Sequence, residues 1–156
     1  MTGDDKDRAG VIAPPPLIYL AFLLLGLGLD YLWPVAVIPE GVQYPAGFLL
    51  IALGLAVFGA AVWRFGKAET SVQTRKPTTA IITDGPFRFS RNPIYLAMSL
   101  SYAGIAIAAD NLWMMGLLVP ALAVIRCGVI SREERYLERK FAEEYLRYKA
   151  SVRRWL

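Results

Sequence analysis

The chain has 156 residues, of which 56% are hydrophobic and 19% are charged. Soluble domains average about 45–50% hydrophobic residues and about 25% charged residues. This chain therefore has more apolar surface than a soluble domain of its length can bury. Its net charge of +4 suits an anionic partner such as a membrane surface. The lack of histidine and the single cysteine, Cys127, exclude an intrachain disulfide, a Cys/His zinc site and catalysis by imidazole.

Four apolar runs predict membrane-spanning helices, because a bilayer core of about 30 Å takes about 20 apolar helical residues. We place these spans at residues 17–33, 44–63, 93–109 and 112–130. Only Asp110 and Asn111 separate the last two, which predicts a tight helical hairpin. Ala52, Ala56 and Ala60 follow the small-xxx-small spacing and are predicted to pack closely against a neighbouring helix.

The basic residues predict the orientation of the spans. All 17 Lys and Arg residues lie before the first span, between the second and third, or at and beyond the end of the fourth. The segments 34–44 and 110–111 contain none. The positive-inside rule therefore places both termini and the 64–92 loop in the cytoplasm, in what we expect to be a bacterial inner membrane.

The predicted architecture is a single all-α, integral membrane domain with four spans. Its parts are an N-terminal tail (1–16), two spans (17–65), a cytoplasmic loop (66–92), the helical hairpin (93–130) and a surface helix (131–156). The first residues mix three Asp with one Lys and one Arg, and three prolines follow, which is not typical of a cleaved signal.

Two cytoplasmic segments carry residues suited to chemistry. In the first, 73–95, Asn92 followed by Pro93 predicts a helix start, and a plain N-cap is the simplest explanation of Asn92. Arg88 and Arg91 are explained equally well by a functional role and by contact of positive-inside residues with lipid phosphates.

The second segment begins at Ser131, which matches a capping box unless the helix continues from the fourth span. Beyond it, an apolar stripe on an amphipathic helix is formed by Leu137, Phe141, Tyr145, Tyr148, Val152 and Trp155. Such a helix is expected to lie on the cytoplasmic membrane surface or to fold back on the 66–92 loop. Glu133 and Glu134 at this boundary need a cation, which is either an arginine of the 88–91 loop or a cationic ligand.

These two segments carry a family resemblance. The run 85–95, Gly-Pro-Phe-Arg-Phe-Ser-Arg-Asn-Pro-Ile-Tyr, resembles the Arg-His-Pro-x-Tyr motif of the isoprenylcysteine carboxyl methyltransferases and their phospholipid N-methyltransferase relatives. The runs 133–137 and 141–148 resemble that family's Glu-Glu-x-x-Leu and Phe-Gly-x-x-Tyr-x-x-Tyr motifs. The resemblance covers residues 66–156 and implies a membrane enzyme that uses S-adenosyl-L-methionine without a Rossmann domain.

Position by position, the resemblance implies cofactor contacts at Gln73, Thr79, Ala80, Ile81, Ile82, Phe87, Asn92, Pro93, Ile94, Tyr95 and Glu133. Physical chemistry agrees with this scheme. The helix that begins at Pro93 offers free backbone donors to a carboxylate, and aromatic faces attract a sulfonium as they do an ammonium. Glu133 can accept hydrogen bonds from ribose hydroxyls or an amino group.

The chain departs from the family pattern at three positions. Asn92 stands where well-studied members have His, so hydrogen bonding remains possible there but proton transfer does not. Val129 replaces the substrate arginine of the eukaryotic isoprenylcysteine enzymes, and Arg126 or Arg132 would pair an acceptor carboxylate instead. Ala142 replaces the usual Gly of the Phe-Gly motif.

The expected reaction is in-line methyl transfer to a membrane-embedded or amphipathic acceptor. A carboxylate or thiolate acceptor needs alignment and desolvation but no base. The amine of phosphatidylethanolamine, the second candidate, must first lose a proton, and Glu134 is the nearest predicted base. Two further alternatives are an NADPH-dependent enzyme like the membrane steroid reductases and a non-enzymatic tetraspan protein that binds lipids or a partner. Neither a metal nor a nucleic acid is expected.

Overall fold

The computed structural model describes residues 10–67 and 81–156, and no strand occurs among them. The helices are α1 (Pro15–Leu32), α2 (Glu40–Lys67), α3 (Pro93–Ala108), α4 (Leu112–Ile125) and α5 (Ser131–Ser151). A short 3₁₀ turn (Gly85–Arg88) precedes α3, and a π turn (Arg126–Ile130) joins α4 to α5. The prediction of an all-α chain is confirmed for the described part.

In the part of the chain that the structure describes, three helices are long and apolar enough to cross a membrane. They are α1, α2 and the continuous helix Leu112–Ser151, whose apolar part is α4 with the π turn. The fourth predicted span, α3, is an apolar helix of only 16 residues, about 24 Å at 1.5 Å per residue, which is shorter than a bilayer core of about 30 Å. The chain is an integral membrane protein, and the count of four spans stays a prediction.

α2 and α3 approach each other closely because both carry small residues at their contact. A Cβ added to Gly104 would lie 2.6 Å from the carbonyl oxygen of Gly47, and one added to Gly47 would lie 2.7 Å from the backbone of Ala108. The predicted small stripe was therefore wrong in its position, since Ala52, Ala56 and Ala60 are all exposed. The close contact runs instead through Gly47 and Gly54, which are buried residues of α2.

α1 crosses α3 through a small set of buried hydroxyl groups. The Tyr19 hydroxyl lies 2.8 Å from Ser99 Oγ, which donates to the carbonyl of Tyr95 at 2.7 Å. Tyr102 is 1% exposed and packs beside Tyr19 at a ring-centroid distance of 6.2 Å. Together with Met114 and Ile125 of α4 these residues form one buried core, which fixes α3 between its neighbours.

The α3–α4 connection forms the predicted tight hairpin. Asp110 turns the chain with a φ of 46°, and its carboxylate accepts hydrogen bonds from the backbone N–H groups of Val37 and Ile38 at 3.0 and 2.9 Å. Asn111 caps α4, since its side chain accepts from the backbone N–H of Met114 at 2.8 Å. One aspartate thus ties the α1–α2 loop to the hairpin.

The described basic residues gather at the other end of the bundle. Arg64 and Lys67 end α2, Arg88 and Arg91 precede α3, and Arg126 begins the π turn. This arrangement agrees with the charge asymmetry of the sequence. The orientation of the termini stays a prediction.

The junction between α4 and α5 is a continuous helix with one wide turn. The capping box at Ser131 does not form, and the Ser131 hydroxyl donates to the carbonyl of Arg126 at 2.8 Å. The alternative, a helix continuing from the fourth span, is the one observed. The predicted apolar stripe of α5 is confirmed, because Leu137, Tyr145 and Tyr148 pack with Ile82 and Phe87.

α5 bends at Ala142, which has φ 41° and ψ −115°. An L-residue with a Cβ is strained in this region, whereas glycine is not, so we expect Ala142→Gly to stabilise the folded protein by about 1 kcal/mol. Ala150→Gly, in the regular part of α5, is the matched control and should destabilise by about 0.5–1 kcal/mol. Chemical unfolding in detergent checks both, and destabilisation by Ala142→Gly would show that the bend is absent in solution.

Candidate functional site

The segment leading into α3 is held against the end of α2 and against α5. Gly85 has a φ of 59°, and Arg64 of α2 forms an ion pair with Asp84. Phe87 is buried, packs edge-on against Phe65 at 5.6 Å between ring centroids, and accepts a 2.7 Å hydrogen bond at its carbonyl from the Tyr148 hydroxyl. The turn is thus fixed on two sides.

α3 begins at Pro93 as predicted, but Asn92 does not cap it with its side chain. The Asn92 amide nitrogen instead donates to the carbonyl of Arg154 at 3.0 Å, while its backbone N–H donates to Ser90 Oγ at 3.1 Å. The side-chain cap was therefore the wrong interpretation of Asn92. The first turn of α3 keeps its positive end without a capping oxygen.

Residues 152–155, which we call the C-terminal strap, cross the start of α3. The backbone N–H of Arg91 donates to the carbonyl of Arg153 at 3.0 Å, and Ser90 Oγ donates to the carbonyl of Arg154 at 3.3 Å. Trp155 packs against the buried core of α1, α3 and α4. The strap therefore ties the loop before α3 to the end of α5.

Glu134 is the centre of a buried ion cluster with Arg91 and Arg154. The Arg154 guanidinium donates to both of its carboxylate oxygens, at 3.0 and 2.6 Å, and Arg91 Nη1 lies 3.3 Å from one of them. The side chains of Arg91 and Glu134 are only 8% and 6% exposed. The prediction that an arginine of the 88–91 loop pairs with these acids is borne out at Glu134. Since arginines occupy both oxygens, Glu134 is poorly placed to act as a base in this conformation.

Glu133 has a different partner. The Tyr95 hydroxyl donates to its carboxylate at 2.7 Å, and no ion pair of Glu133 occurs in residues 10–67 and 81–156. Burial raises the pKa of the Glu133 carboxyl to about 7, the Tyr95 hydrogen bond opposes this rise, and the charge of Glu134 adds to it. Two neighbouring carboxylates thus differ, one neutralised by arginines and the other held by a neutral hydroxyl.

The other predicted cofactor residues are placed as follows. Gln73, Thr79 and Ala80 lie outside the described residues. Ile82 and Phe87 are buried together in the cluster with Tyr145 and Tyr148, and Ile81 and Ile94 pack against it. Asn92 to Tyr95 form the first turn of α3, so the structure brings this part of the predicted set to one region with Glu133.

The two arginines predicted to pair an acceptor carboxylate lie around the π turn, and both are exposed. Arg132 Nη1 donates to the carbonyl of Gly10 at 2.8 Å, whereas Arg126 begins the π turn. The role of these two arginines in binding an acceptor stays a prediction.

A separate open cavity of about 600 Å³ lies between the turn before α3 and the second half of α5. Its lining residues are Thr83, Arg88, Glu144, Arg147, Tyr148, Ser151 and Val152. None of them is a predicted site residue.

Reasoning from the sequence missed Arg154 and the strap. One available signal was the similarity of residues 152–155 to the family's Val-Pro-Arg-Trp ending, and another was the basic pair Arg153 and Arg154 just after an amphipathic helix that carries two adjacent acids. Such a pair predicts a cation somewhere near the membrane, but not which carboxylate it meets.

Comparisons with known proteins identify the family of the chain. The family model described as phospholipid methyltransferase matches residues 42–144. An uncharacterised protein of Haemophilus influenzae is 51% identical over 47 residues, which are 30% of this chain and 73% of that protein. The cobalt-zinc-cadmium resistance protein CzcN of Cupriavidus metallidurans is 34% identical over 102 residues, 64% of this chain but only 46% of that protein. No solved structure matches the chain. The matched segment runs from α2 to α5 and includes the start of α3 and both glutamates, and so the chain belongs to the phospholipid methyltransferase family of membrane proteins.

Proposed function

We propose that the protein transfers a methyl group from S-adenosyl-L-methionine to a membrane-embedded or amphipathic acceptor. The observation that carries the proposal is the Tyr95–Glu133 pair, which sits at the uncapped start of α3 within the segment matched by the methyltransferase family. Glu133 would accept from the cofactor's amino group or ribose, and the first turn of α3 would meet its carboxylate. S-adenosyl-L-methionine supplies the methyl group and its own leaving group.

The protein's contribution to this reaction is alignment and exclusion of water. Rigid placement of two reactants supplies several kcal/mol of the barrier, and here the ion cluster and the strap hold the start of α3. The acceptor would enter from the bilayer near the π turn, where Arg126 would pair its carboxylate. This makes an isoprenylcysteine-like carboxylate or a thiolate the first choice of acceptor, since neither needs a base.

A phospholipid amine is the second candidate, and the match to the phospholipid methyltransferase family favours it. An ammonium must lose a proton before it attacks, and Glu134 was the base predicted for that step. Both oxygens of Glu134 accept hydrogen bonds from Arg154, and Glu133 is proposed to hold the cofactor, so this acceptor ranks behind a carboxylate or a thiolate. Transfer of a labelled methyl group to choline-type headgroups in a membrane lipid extract would select this candidate over prenylcysteine analogues.

Calorimetry on detergent-purified protein tests the cofactor. We expect S-adenosylhomocysteine to bind and NADPH not to bind, and we expect Glu133→Gln to weaken the affinity for S-adenosylhomocysteine by about 1.5–3 kcal/mol, the range for hydrogen bonds to charged groups. Glu143→Gln is the matched control, because Glu143 lies on the exposed face of α5 with its side chain 84% exposed.

The pH dependence gives a second readout. Because burial raises the pKa of Glu133 to about 7, the ionised carboxylate that a bound ammonium requires is lost as pH falls through that value. Affinity should therefore drop below neutral pH in the wild type and depend less on pH in Glu133→Gln. Affinity for NADPH, or none for S-adenosylhomocysteine down to the millimolar range, would reject the proposed function.

A further inference from the structure

Arg91 is a buried cation with unused hydrogen-bonding capacity. Its side chain is 8% exposed, yet neither Nε nor Nη1 has a hydrogen-bond partner in residues 10–67 and 81–156. Its backbone is held by the carbonyl of Arg153 at 3.0 Å, so the residue is anchored. Buried donors are rarely left unpaired in native proteins, because each one costs about 1–3 kcal/mol.

The charges around Arg91 do not balance. Glu134 carries one negative charge, and Arg154 already donates to both of its oxygens at 3.0 and 2.6 Å. Arg91 Nη1 lies 3.3 Å from Glu134 without a hydrogen bond to it. Two guanidinium groups and one carboxylate leave a net charge of about +1 in a buried place, which favours an additional anion there.

The backbone beside Arg91 also favours an anion at this place. Arg91 lies two residues before the first residue of α3, and Asn92 turns its amide donor to the strap instead of offering an oxygen to the helix. The positive end of α3 therefore has no capping oxygen and lies beside a guanidinium with two unused donors. On the same helix, the Tyr95 hydroxyl holds Glu133, which supplies a negative group nearby.

We propose that the Arg91 guanidinium, which has a free donor on each of its two edges, binds the carboxylate of the cofactor's amino-acid moiety, while Glu133 faces the ammonium of the same moiety. The inference rests on the proposed function and deepens it by naming the residue that recognises the zwitterion. Arginine suits this role because its planar group presents parallel donors to a carboxylate. The Arg154 pair keeps Glu134 from taking those donors.

A pair of ligands that differ only in the carboxylate tests this proposal. Calorimetry with the full chain in detergent would compare S-adenosylhomocysteine with its decarboxylated analogue, 5′-S-(3-aminopropyl)-5′-thioadenosine. We expect the wild type to prefer the carboxylated ligand by about 10- to 100-fold, and Arg91→Met to reduce this preference to about twofold or less. Arg139→Met removes an arginine from the exposed face of α5 and should keep the wild-type preference.

The ratio of the two affinities separates the possible failures. An unchanged ratio in Arg91→Met, or a wild type that binds both ligands equally, would overturn the role of Arg91 and leave the proposed function standing. Absence of binding by either ligand to the wild type would reject both. If Arg91→Met does not fold, Arg91→Lys keeps the charge but not the planar donors. It should reduce the preference at least fivefold, and an unchanged preference would equally overturn the proposal.

Discussion

Glu134→Ala is expected to destabilise the protein by about 3–5 kcal/mol, because it leaves the buried Arg91 guanidinium and the partly buried Arg154 guanidinium without their counter-ion. Arg91 is 8% exposed, and Arg154, at 29% exposed, would lose both of its hydrogen bonds to the carboxylate. The same change frees the strap from α5, so the start of α3 should loosen as well. Unfolding by denaturant in detergent, followed by circular dichroism, measures the free energy of unfolding.

The chain offers a matched control for this prediction on the same helix. Glu143 pairs with Arg147 at 3.2 Å, and both side chains are more than four-fifths exposed. Exposed pairs of this kind contribute about 0.5 kcal/mol or less, so Glu143→Ala should change the free energy of unfolding very little. Equal effects of the two substitutions would show that the Glu134 cluster is open to water in solution.

Gly104→Val is expected to destabilise the protein by about 3 kcal/mol or to prevent folding, since the added side chain has no space. Its Cβ alone would lie 2.6 Å from the carbonyl oxygen of Gly47 and 2.8 Å from the backbone nitrogen of Ile51. Neither atom can move without displacing α2. The measurement is again denaturant unfolding in detergent.

Gly116→Val is the control for this substitution, because within residues 10–67 and 81–156 a Cβ built there on α4 has no atom within 4 Å apart from its own helix turn. Both changes add the same apolar atoms to a membrane helix, so their difference reports the α2–α3 contact alone. If Gly104→Val lowers the free energy of unfolding no more than Gly116→Val does, α2 and α3 are further apart than described.

The sequence allowed the elements of the fold to be predicted well, but not their contacts. Hydropathy located α1, α2 and the α3–α4 hairpin, because long apolar runs and the pair Asp110 and Asn111 are local signals. It could not say which face of α2 meets α3. α2 is apolar on every side, and apolar residues suit contact with lipid as well as contact with protein. The sequence therefore does not distinguish Ala52, which is exposed, from Gly54, which contacts α3.

In the candidate site too, features set by neighbouring residues were predictable, whereas contacts between residues distant in the sequence were not. The order of Asn92 and Pro93 is enough to start a helix, and two adjacent glutamates at a membrane boundary are enough to demand a cation. That Glu134 takes Arg91 and Arg154 while Glu133 takes Tyr95 depends on how α5 is turned about its axis. No spacing along the chain carries that information.

The π turn decides how α5 is turned. A π turn holds one residue more than a regular α turn, so every side chain after Ile130 is rotated by about 100° relative to an uninterrupted α-helix. Without this shift in helical phase, the face of α5 that carries Glu133 and Glu134 would point away from Tyr95 and Arg91. One continuous helix can thus carry apolar residues along α4 and, beyond the π turn, turn polar residues of α5 toward α3. The wide turn from Arg126 to Ile130 thus joins an apolar span to the helix that carries the proposed cofactor contact, and its one additional residue sets the direction of that contact.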